Sequence, residues 1–226
     1  MTSRGHRDVL QIARARMPRS FDLHALPSEP IVPPARVFEL DRRYTATGEL
    51  VEGADDDLAP LVEQLVACEA EVVVVSLIGG YAGRADEQEV VRRLSAAIDV
   101  PVRSAAALWA QAGEYERVTL ALLDAQITPL MTRYFTSLRH RLGRLDIDAP
   151  VYISTSNGGS VSIDAAMAEP IQTVLSGPAS GVAAAAATWP DRNVVTFDMG
   201  GTSSDIGVLH CGDPVLTTAA TVGPIR

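Results

Sequence analysis

The sequence predicts an α/β protein in which a mixed sheet is covered by helices, and three stretches carry that expectation. The continuous apolar run Val72–Ile78 is typical of a strand buried on both faces. It is flanked by helical spacing, from Asp55 with Leu58, Leu61, Val62, Leu65 and Val66 on one face, and again from Asp86 to Ala97, followed by a strand at Val100–Arg103. A strand–helix–strand order of this kind implies parallel neighbours joined by a right-handed crossover. Near the end, two apolar strands separated by Gly200 and Gly201 form a strand–turn–strand pattern.

The remaining elements follow in order. A short helix is expected over Asp8–Arg16, closed by Pro18, and then a connector in which Pro27, Pro30, Pro33 and Pro34 forbid regular structure. Arg36–Leu40 and Glu49–Glu52 alternate around Thr47-Gly48, which predicts a hairpin. A long helix is expected from Ala112 to Leu142, with Pro129 as its point of weakness because proline removes one hydrogen bond and crowds the preceding turn. After it come a strand at Val151–Thr155, the loop Ser156-Asn157-Gly158-Gly159, a short helix ended by Pro170 and a strand at Ile171–Leu175. Ser176-Gly177-Pro178 then opens an alanine-rich helix, with a serine or glycine as its cap.

Composition narrows the functional classes. With 47% hydrophobic residues among 226, the chain has enough apolar side chains for a packed core and is no disordered polymer. The excess of 28 acidic over 19 basic residues, a formal charge of −9, argues against nucleic acid as the main partner, since phosphate backbones are held by clustered Lys and Arg. No apolar stretch approaches the roughly 20 residues of a membrane span. The N-terminus lacks a secretory pattern, and two distant cysteines, Cys68 and Cys211, suit reduced, buried thiols, so a cytoplasmic location is expected. The four histidines show no metal-ligand spacing, and no G-x-S-x-G elbow is present.

The chemistry is concentrated in the last hairpin, Val194–Leu209. Gly200 and Gly201 have no Cβ, so backbone N–H groups can approach a phosphate, and Thr202, Ser203 and Ser204 add hydroxyl donors. Asp198 and Asp205 flank the turn and would repel a polyphosphate unless Mg²⁺ lay between. The pattern is neither a Walker loop nor a dinucleotide fingerprint. Ser156, Asn157, Gly158 and Gly159, at the end of an apolar strand, occupy the usual place for ligand contacts in an open α/β sheet. The competing reading of Asn157 is a local backbone hydrogen bond in a polar turn. Glu114-Tyr115-Glu116-Arg117 is read as structural, because acids in a first turn suit the helix dipole.

A small-residue helix leading into a strand and a D-x-G-G-T hairpin follows the order of the actin, sugar-kinase and heat-shock chaperone superfamily. More closely, the blocks Ser156–Ser162 (SNGGSVS), Ser176–Ala187 (SGPASGVAAAAA) and Phe197–Leu209 (FDMGGTSSDIGVL) resemble those of the hydantoinase A / 5-oxoprolinase family, which includes acetone and acetophenone carboxylase subunits. The resemblance extends to GHRDVLQIAR and GEYERVTLALLDAQITP and departs at Ser76–Tyr81, where the family tends to place a histidine and a serine before the tyrosine.

This resemblance implies a partial actin-like (ribonuclease-H-like) fold, with a first-domain remnant over residues 1–105 and a second domain over 106–226, incomplete at its C-terminus. It implies that the intact protein uses ATP and Mg²⁺ to phosphorylate the amide oxygen of a small cyclic amide and so open the ring. Gly200, Gly201, Thr202 and Ser203 would hold phosphate oxygens, Asp198 and Asp205 would be the catalytic and metal-positioning residues, and Ser156–Gly159 would contact substrate. The implied partner is a hydantoinase B-type companion subunit or domain, with neither nucleic acid nor membrane involved and with room for a homo-oligomer. Two alternatives stand beside it: an ATP-dependent carboxylase subunit, and a truncated, non-catalytic module.

Overall fold

The computed structural model describes residues 1–15, 22, 24, 29–52, 57–201 and 203–216. Packing divides the described chain into two compact units, one reaching to Ala125 and one beginning at Gln126. The division falls inside a long helix, whereas the sequence expectation starts the second domain at residue 106, ahead of it.

The first unit contains β1 (Thr2–Ser3), α1 (Val9–Ile12), β2 (Glu39–Leu40), β3 (Arg43–Tyr44), β4 (Leu50–Glu52), α2 (Ala59–Ala67), β5 (Val73–Val75), α3 (Arg84–Ser95), β6 (Val102–Ser104), α4 (Ala105–Leu108) and the start of α5 (Glu114–Gly143). As the strand–helix–strand order requires, β5 and β6 are parallel, with Val73 opposite Val102 and Val75 opposite Ser104. β1 and β2 are also parallel. Backbone bonds from Met1 N to Val74 O (2.6 Å) and from Ser76 N–H to Met1 O (3.0 Å) lay the start of the chain along β5. The apolar faces of α2 and α3 close over these strands, burying Leu61, Leu65, Val90 and Leu94 with Val73, Val75 and Leu77. Val66, expected on that buried face, is exposed.

The hairpin of this unit departs from expectation. Arg36–Leu40 does not form its first strand; Glu39–Leu40 pairs with Thr2–Ser3, and Pro34–Arg36 is a 3₁₀ turn. Arg43–Tyr44 pairs with Leu50–Glu52 instead. The reason is local: Gly48 N–H donates to Thr45 O (3.0 Å) and Thr45 N–H to Glu49 O (2.9 Å), so only residues immediately flanking that tight turn can meet. The first helix is likewise shorter, ending in left-handed residues from Ala13 to Ala15. Arg16, Pro18 and part of the proline-rich connector lie outside the described residues.

Two buried charges hold the loop after β5. Glu87, fully buried on α3, accepts from Leu77 N–H (2.9 Å), Ala106 N–H (2.9 Å) and Ser104 Oγ–H (2.6 Å). Arg117 on α5, equally buried, donates to Leu77 O (3.1 Å), to Gln111 O (2.9 Å) and to Glu114, and its guanidinium lies 5.6 Å from the centre of the Tyr81 ring. The backbone of Leu77 thus meets a carboxylate through its N–H and a guanidinium through its C=O, in two adjacent peptide groups. Burial lowers the Arg117 pKa, and the charge of Glu87 opposes that shift. The loop glycines are dictated by packing: a Cβ on Gly80 would overlap Glu87 Oε2, and one on Gly83 would lie 2.5 Å from Tyr44 Cγ.

The second unit contains the rest of α5, β7 (Tyr152–Ser154), β8 (Ser160–Ser162), α6 (Ile163–Ala168), α7 (Ser176–Thr188), β9 (Val194–Met199), β10 (Ser204–His210) and β11 (Asp213–Pro214). α5 continues through Pro129 as one helix. Phe135 buries against Ile163 and Ala166, with Met131, Leu138 and Ile153 around them. β8, which the sequence reading does not separate from the loop before it, pairs with β7 as an antiparallel hairpin. Pro170–Thr173 is a 3₁₀ turn, so the strand expected at Ile171–Leu175 is absent: Pro170 starts the turn, and Thr173 Oγ–H caps Pro170 O (2.7 Å).

No helix among the described residues is long and apolar enough to cross a membrane. Both cysteines are free. Cys68 is half-buried, whereas Cys211 is exposed in the β10–β11 turn, with a φ of 50°.

Glu87→Ala is expected to lower unfolding free energy by at least about 3 kcal/mol, because three buried donors lose their acceptor and Arg117 its compensating charge. Urea denaturation of the variant checks this; a loss below about 1 kcal/mol would show that water or a neighbour replaces the carboxylate.

Candidate phosphate-binding site

β9 and β10 pair antiparallel through six positions, with Asp198 opposite Asp205, Phe197 opposite Ile206 and Thr196 opposite Gly207. Gly200 N–H donates to Ser203 O (2.9 Å) and closes the turn. Gly201 would have open space around a Cβ and Gly200 only Ser203 O at 3.5 Å, so the turn backbone faces room rather than packed protein. Ser203 is exposed; Thr202 lies outside the described residues. Asp198 is exposed and Asp205 half-buried, on the same face of the ladder. Like charges at directly opposed positions disfavour a hairpin unless a cation or donor lies near them.

The covered face of this hairpin rests on α7. A Cβ on Gly207 would overlap Val182 Cγ2 and lie 2.5 Å from Thr196 Oγ1, and Thr196 accepts through that oxygen from Gly207 N–H (3.1 Å). At the hairpin base, Gly212 (φ +85°) packs where a Cβ would overlap the Pro190 carbonyl, and its N–H donates to Arg192 O (2.9 Å). Cys211 N–H donates to Asn193 Oδ1 (2.8 Å). The base is thus tied to the C-terminal end of α7, so the turn points toward the Ser176 end. Unsatisfied N–H groups and the positive end of the helix dipole lie there.

The start of α7 differs from expectation. Leu175, in the left-handed region (φ +61°), occupies the N-cap without a side-chain bond, so neither Ser176 nor Gly177 caps the helix. Ser180 Oγ–H instead donates back to Ser176 O (2.7 Å).

The Ser156–Gly159 turn rests on the same helix. A Cβ on Gly158 (φ +80°) would sit 3.4 Å from Ala183 Cβ and 3.7 Å from Ala179 O. Asn157 Oδ1 accepts from Thr155 Oγ–H (2.5 Å) and Gly159 N–H (3.0 Å), so its carbonyl closes the turn, while Ser156 N–H donates to Gln172 O (2.7 Å). The side chain of Ser156 is exposed. α7 therefore carries both glycine turns, Ser156–Gly159 at Ala179–Ala183 and the aspartate hairpin at Val182.

Sequence reasoning passes over Gly207 and Thr196. Glycine within a strand pattern signals a close backbone approach, and that signal is present in Ile206-Gly207-Val208.

No group of three or more His, Cys, Asp or Glu that could hold a metal occurs among the described residues. Two opposed carboxylates beside an open turn suit Mg²⁺, which keeps several waters and is typically held by one or two carboxylates together with phosphate oxygens.

Residues 117–226 match the Hydantoinase/oxoprolinase family, and residues 1–98 match the Hydantoinase/oxoprolinase N-terminal region. The chain belongs to this family. An uncharacterised protein of Methanocaldococcus jannaschii is 27% identical over 99% of the chain, which covers 34% of that protein. Caprolactamase subunit alpha of Pseudomonas jessenii is 27% identical over 92% of the chain and 31% of its own length. The crystal structure of the ATP-dependent caprolactamase from P. jessenii superimposes with a TM-score of 0.77 at 25% identity, over 92% of this chain and 31% of that one. The nucleotide-free structure of acetone carboxylase shares the fold, with a TM-score of 0.75 at 22% identity over 94% of this chain. The chain thus spans about a third of the length of these relatives. Family and mixed α/β fold agree with the sequence expectation.

Gly207→Val is expected to destabilise the second unit by about 1–3 kcal/mol, the usual cost of forcing methyl groups into a filled contact. Thermal unfolding followed by circular dichroism reads the effect, and an unchanged midpoint would mean that β10 can lift away from α7.

Proposed function

We propose that this chain supplies one phosphate-binding half of the nucleotide site of an ATP-dependent cyclic-amide hydrolase of hydantoinase/5-oxoprolinase type, built on an actin-like, ribonuclease-H-like fold. The observation that carries the reading is the pairing of Asp198 with Asp205 immediately behind an open Gly200-Gly201 turn. Sequence and structural likeness to a caprolactamase, whose name denotes a cyclic amide, supports the ring-opening reading.

In this reading the N–H groups of Gly200 and Gly201 and the hydroxyls of Thr202 and Ser203 bind phosphate oxygens. Asp198 and Asp205 orient Mg²⁺ or its waters. Bound Mg-ATP would supply the phosphoryl group and the charge neutralisation that make an amide carbonyl open to attack by water. The protein contributes position: Gly207 and Gly212 fix the hairpin against α7 and the residues that follow it, and Leu175 starts that helix. Ser156–Gly159, carried on the same helix, contacts substrate, with Asn157 offering only its amide nitrogen because its oxygen already closes the turn. A hydantoinase B-type companion contributes the rest of the hydrolytic machinery, in the cytoplasm.

Asp198→Ala in the complete enzyme is expected to reduce Mg-ATP hydrolysis at least about 100-fold, the scale of losing one electrostatic stabiliser, with unchanged circular dichroism. Turnover at the wild-type rate would remove Asp198 from the mechanism.

In the 226-residue chain, Asp198→Asn is expected to raise the metal-free melting temperature slightly and to abolish any rise caused by millimolar Mg²⁺. The first effect comes from relieved repulsion between opposed carboxylates, the second from loss of a ligand. A Mg²⁺ response that survives the substitution would place the cation elsewhere.

A further inference from the structure

The C-terminal half of α5 carries a basic face in an acidic chain. Arg133, Arg139, His140, Arg141 and Arg144 follow one another with no acidic residue between them, although the formal charge of the whole is −9. Arg139 is engaged, donating to Asp164. Arg133, Arg141 and Arg144 have no ion-pair partner among the described residues. Steps of three and four residues place Leu130, Arg133, Tyr134, Ser137, Arg141 and Arg144 along one side of the helix. The helical path reaches the last of them, since Arg144 N–H donates to His140 O (3.1 Å). That side is exposed, including Leu130 at 60% and Tyr134 at 57%, while Met131, Phe135 and Leu138 face Ile163 and Ala166. Cations in a last turn suit the helix dipole, but that effect fades within one turn. Arg133 stands about 15 Å before the end of α5, and the dipole gives no reason to expose a leucine and a tyrosine beside it.

The complement to this face occurs in the same sequence. Between Arg43 and Arg84 there is no basic residue. Within that stretch Glu63 on α2, and Glu69 and Glu71 just after it, are exposed and have no ion-pair partner among the described residues. Val66, 63% exposed, lies among them. Each surface thus joins an exposed apolar anchor to charges of one sign, and the two signs are opposite. All 19 basic residues of the chain are arginines, whose guanidinium can hold a carboxylate through two parallel N–H bonds.

We infer that the chain associates with a second copy of itself, the Leu130–Arg144 face of α5 in one copy meeting the Glu63–Glu71 surface of α2 in the other. Such a contact is heterologous, so every copy offers both halves of it. The opposite charges steer and orient the encounter, and Leu130, Tyr134 and Val66 supply the apolar area. The inference is independent of the phosphate site, because neither surface includes a residue of the Val194–Leu209 hairpin.

Sedimentation equilibrium of the 226-residue chain tests it. The chain should self-associate, and several-fold more weakly in roughly 0.5 M than in roughly 0.05 M NaCl, because salt screens exposed charges. Arg133→Glu with Arg141→Glu, and separately Glu63→Arg with Glu71→Arg, should each weaken association at least about 10-fold, equivalent to 1.4 kcal/mol, since like charges then meet. An equimolar mixture of the two variants should restore it: reversed α5 meets reversed α2, and the unchanged pair remains complementary. Circular dichroism checks that each variant folds, and glutamine at the same positions replaces any reversal that does not. A chain that stays monomeric, or a mixture that stays dissociated, would overturn the proposal. So would association indifferent to both reversals, which would place the contact on an apolar surface. Loss on reversing α5 alone, unmatched by α2, would assign α5 a different acidic partner surface and overturn it equally. Asp198→Asn should leave association unchanged, which separates failure of this contact from failure of the phosphate site.

Discussion

The arrangement of the second unit depends on how closely β10 approaches α7. At Gly207 there is no space for even one methyl group between the strand and Val182, and the neighbouring Thr196 uses its hydroxyl to hold the same backbone N–H. The helix presents the small residues Ala179 and Ala183 on the side that meets Gly158. Its second contact, Gly158 near Ala183, seats the turn between β7 and β8 along the same helix. Two glycine turns that are distant in sequence thus share a single support, the one through Gly158 within the turn and the other through Gly207, away from the Gly200-Gly201 tip.

This division of labour separates the residues that face a ligand from those that aim them. Gly200, Gly201 and Ser203 have few structural obligations, since nothing packs against the two glycines beyond Ser203 O. Gly207 and Gly212 are committed entirely to packing. Asn157 stands between the two groups. Its oxygen is occupied by Thr155 and Gly159, so the turn is closed before any ligand arrives.

Much of this was legible in the sequence for physical reasons. The run Val72–Val75 has one stable home, a strand buried on both faces, and the strand–helix–strand order then leaves parallel pairing with β6 as the solution. The aspartate hairpin was legible because Gly-Gly, which tolerates the tight backbone of a turn, separates two apolar strand patterns. What escaped was decided by non-local contacts. Leu40 belongs with Ser3 rather than with the turn ahead of it because the N-terminal strand provides a partner far away in sequence. Ile171–Leu175 has strand-like residues, but Pro170 starts a 3₁₀ turn and β8 already occupies β7. Leu175 at a left-handed N-cap has no local signature, since leucine seldom adopts that region. The site suffers from the same limit: which glycines face a ligand and which face protein cannot be read from the letter G.

The backbone of Leu77 joins two buried charges. Its N–H points to Glu87 and its carbonyl to Arg117, through two adjacent peptide groups. Losing Glu87 leaves the N–H groups of Leu77 and Ala106 without their acceptor, and losing Arg117 leaves the carbonyls of Leu77 and Gln111 without their donor, even where an apolar side chain of similar volume fills the space. A core that dispensed with both ions would still have those peptide groups to satisfy, so the loop after β5 and the two charges form one unit.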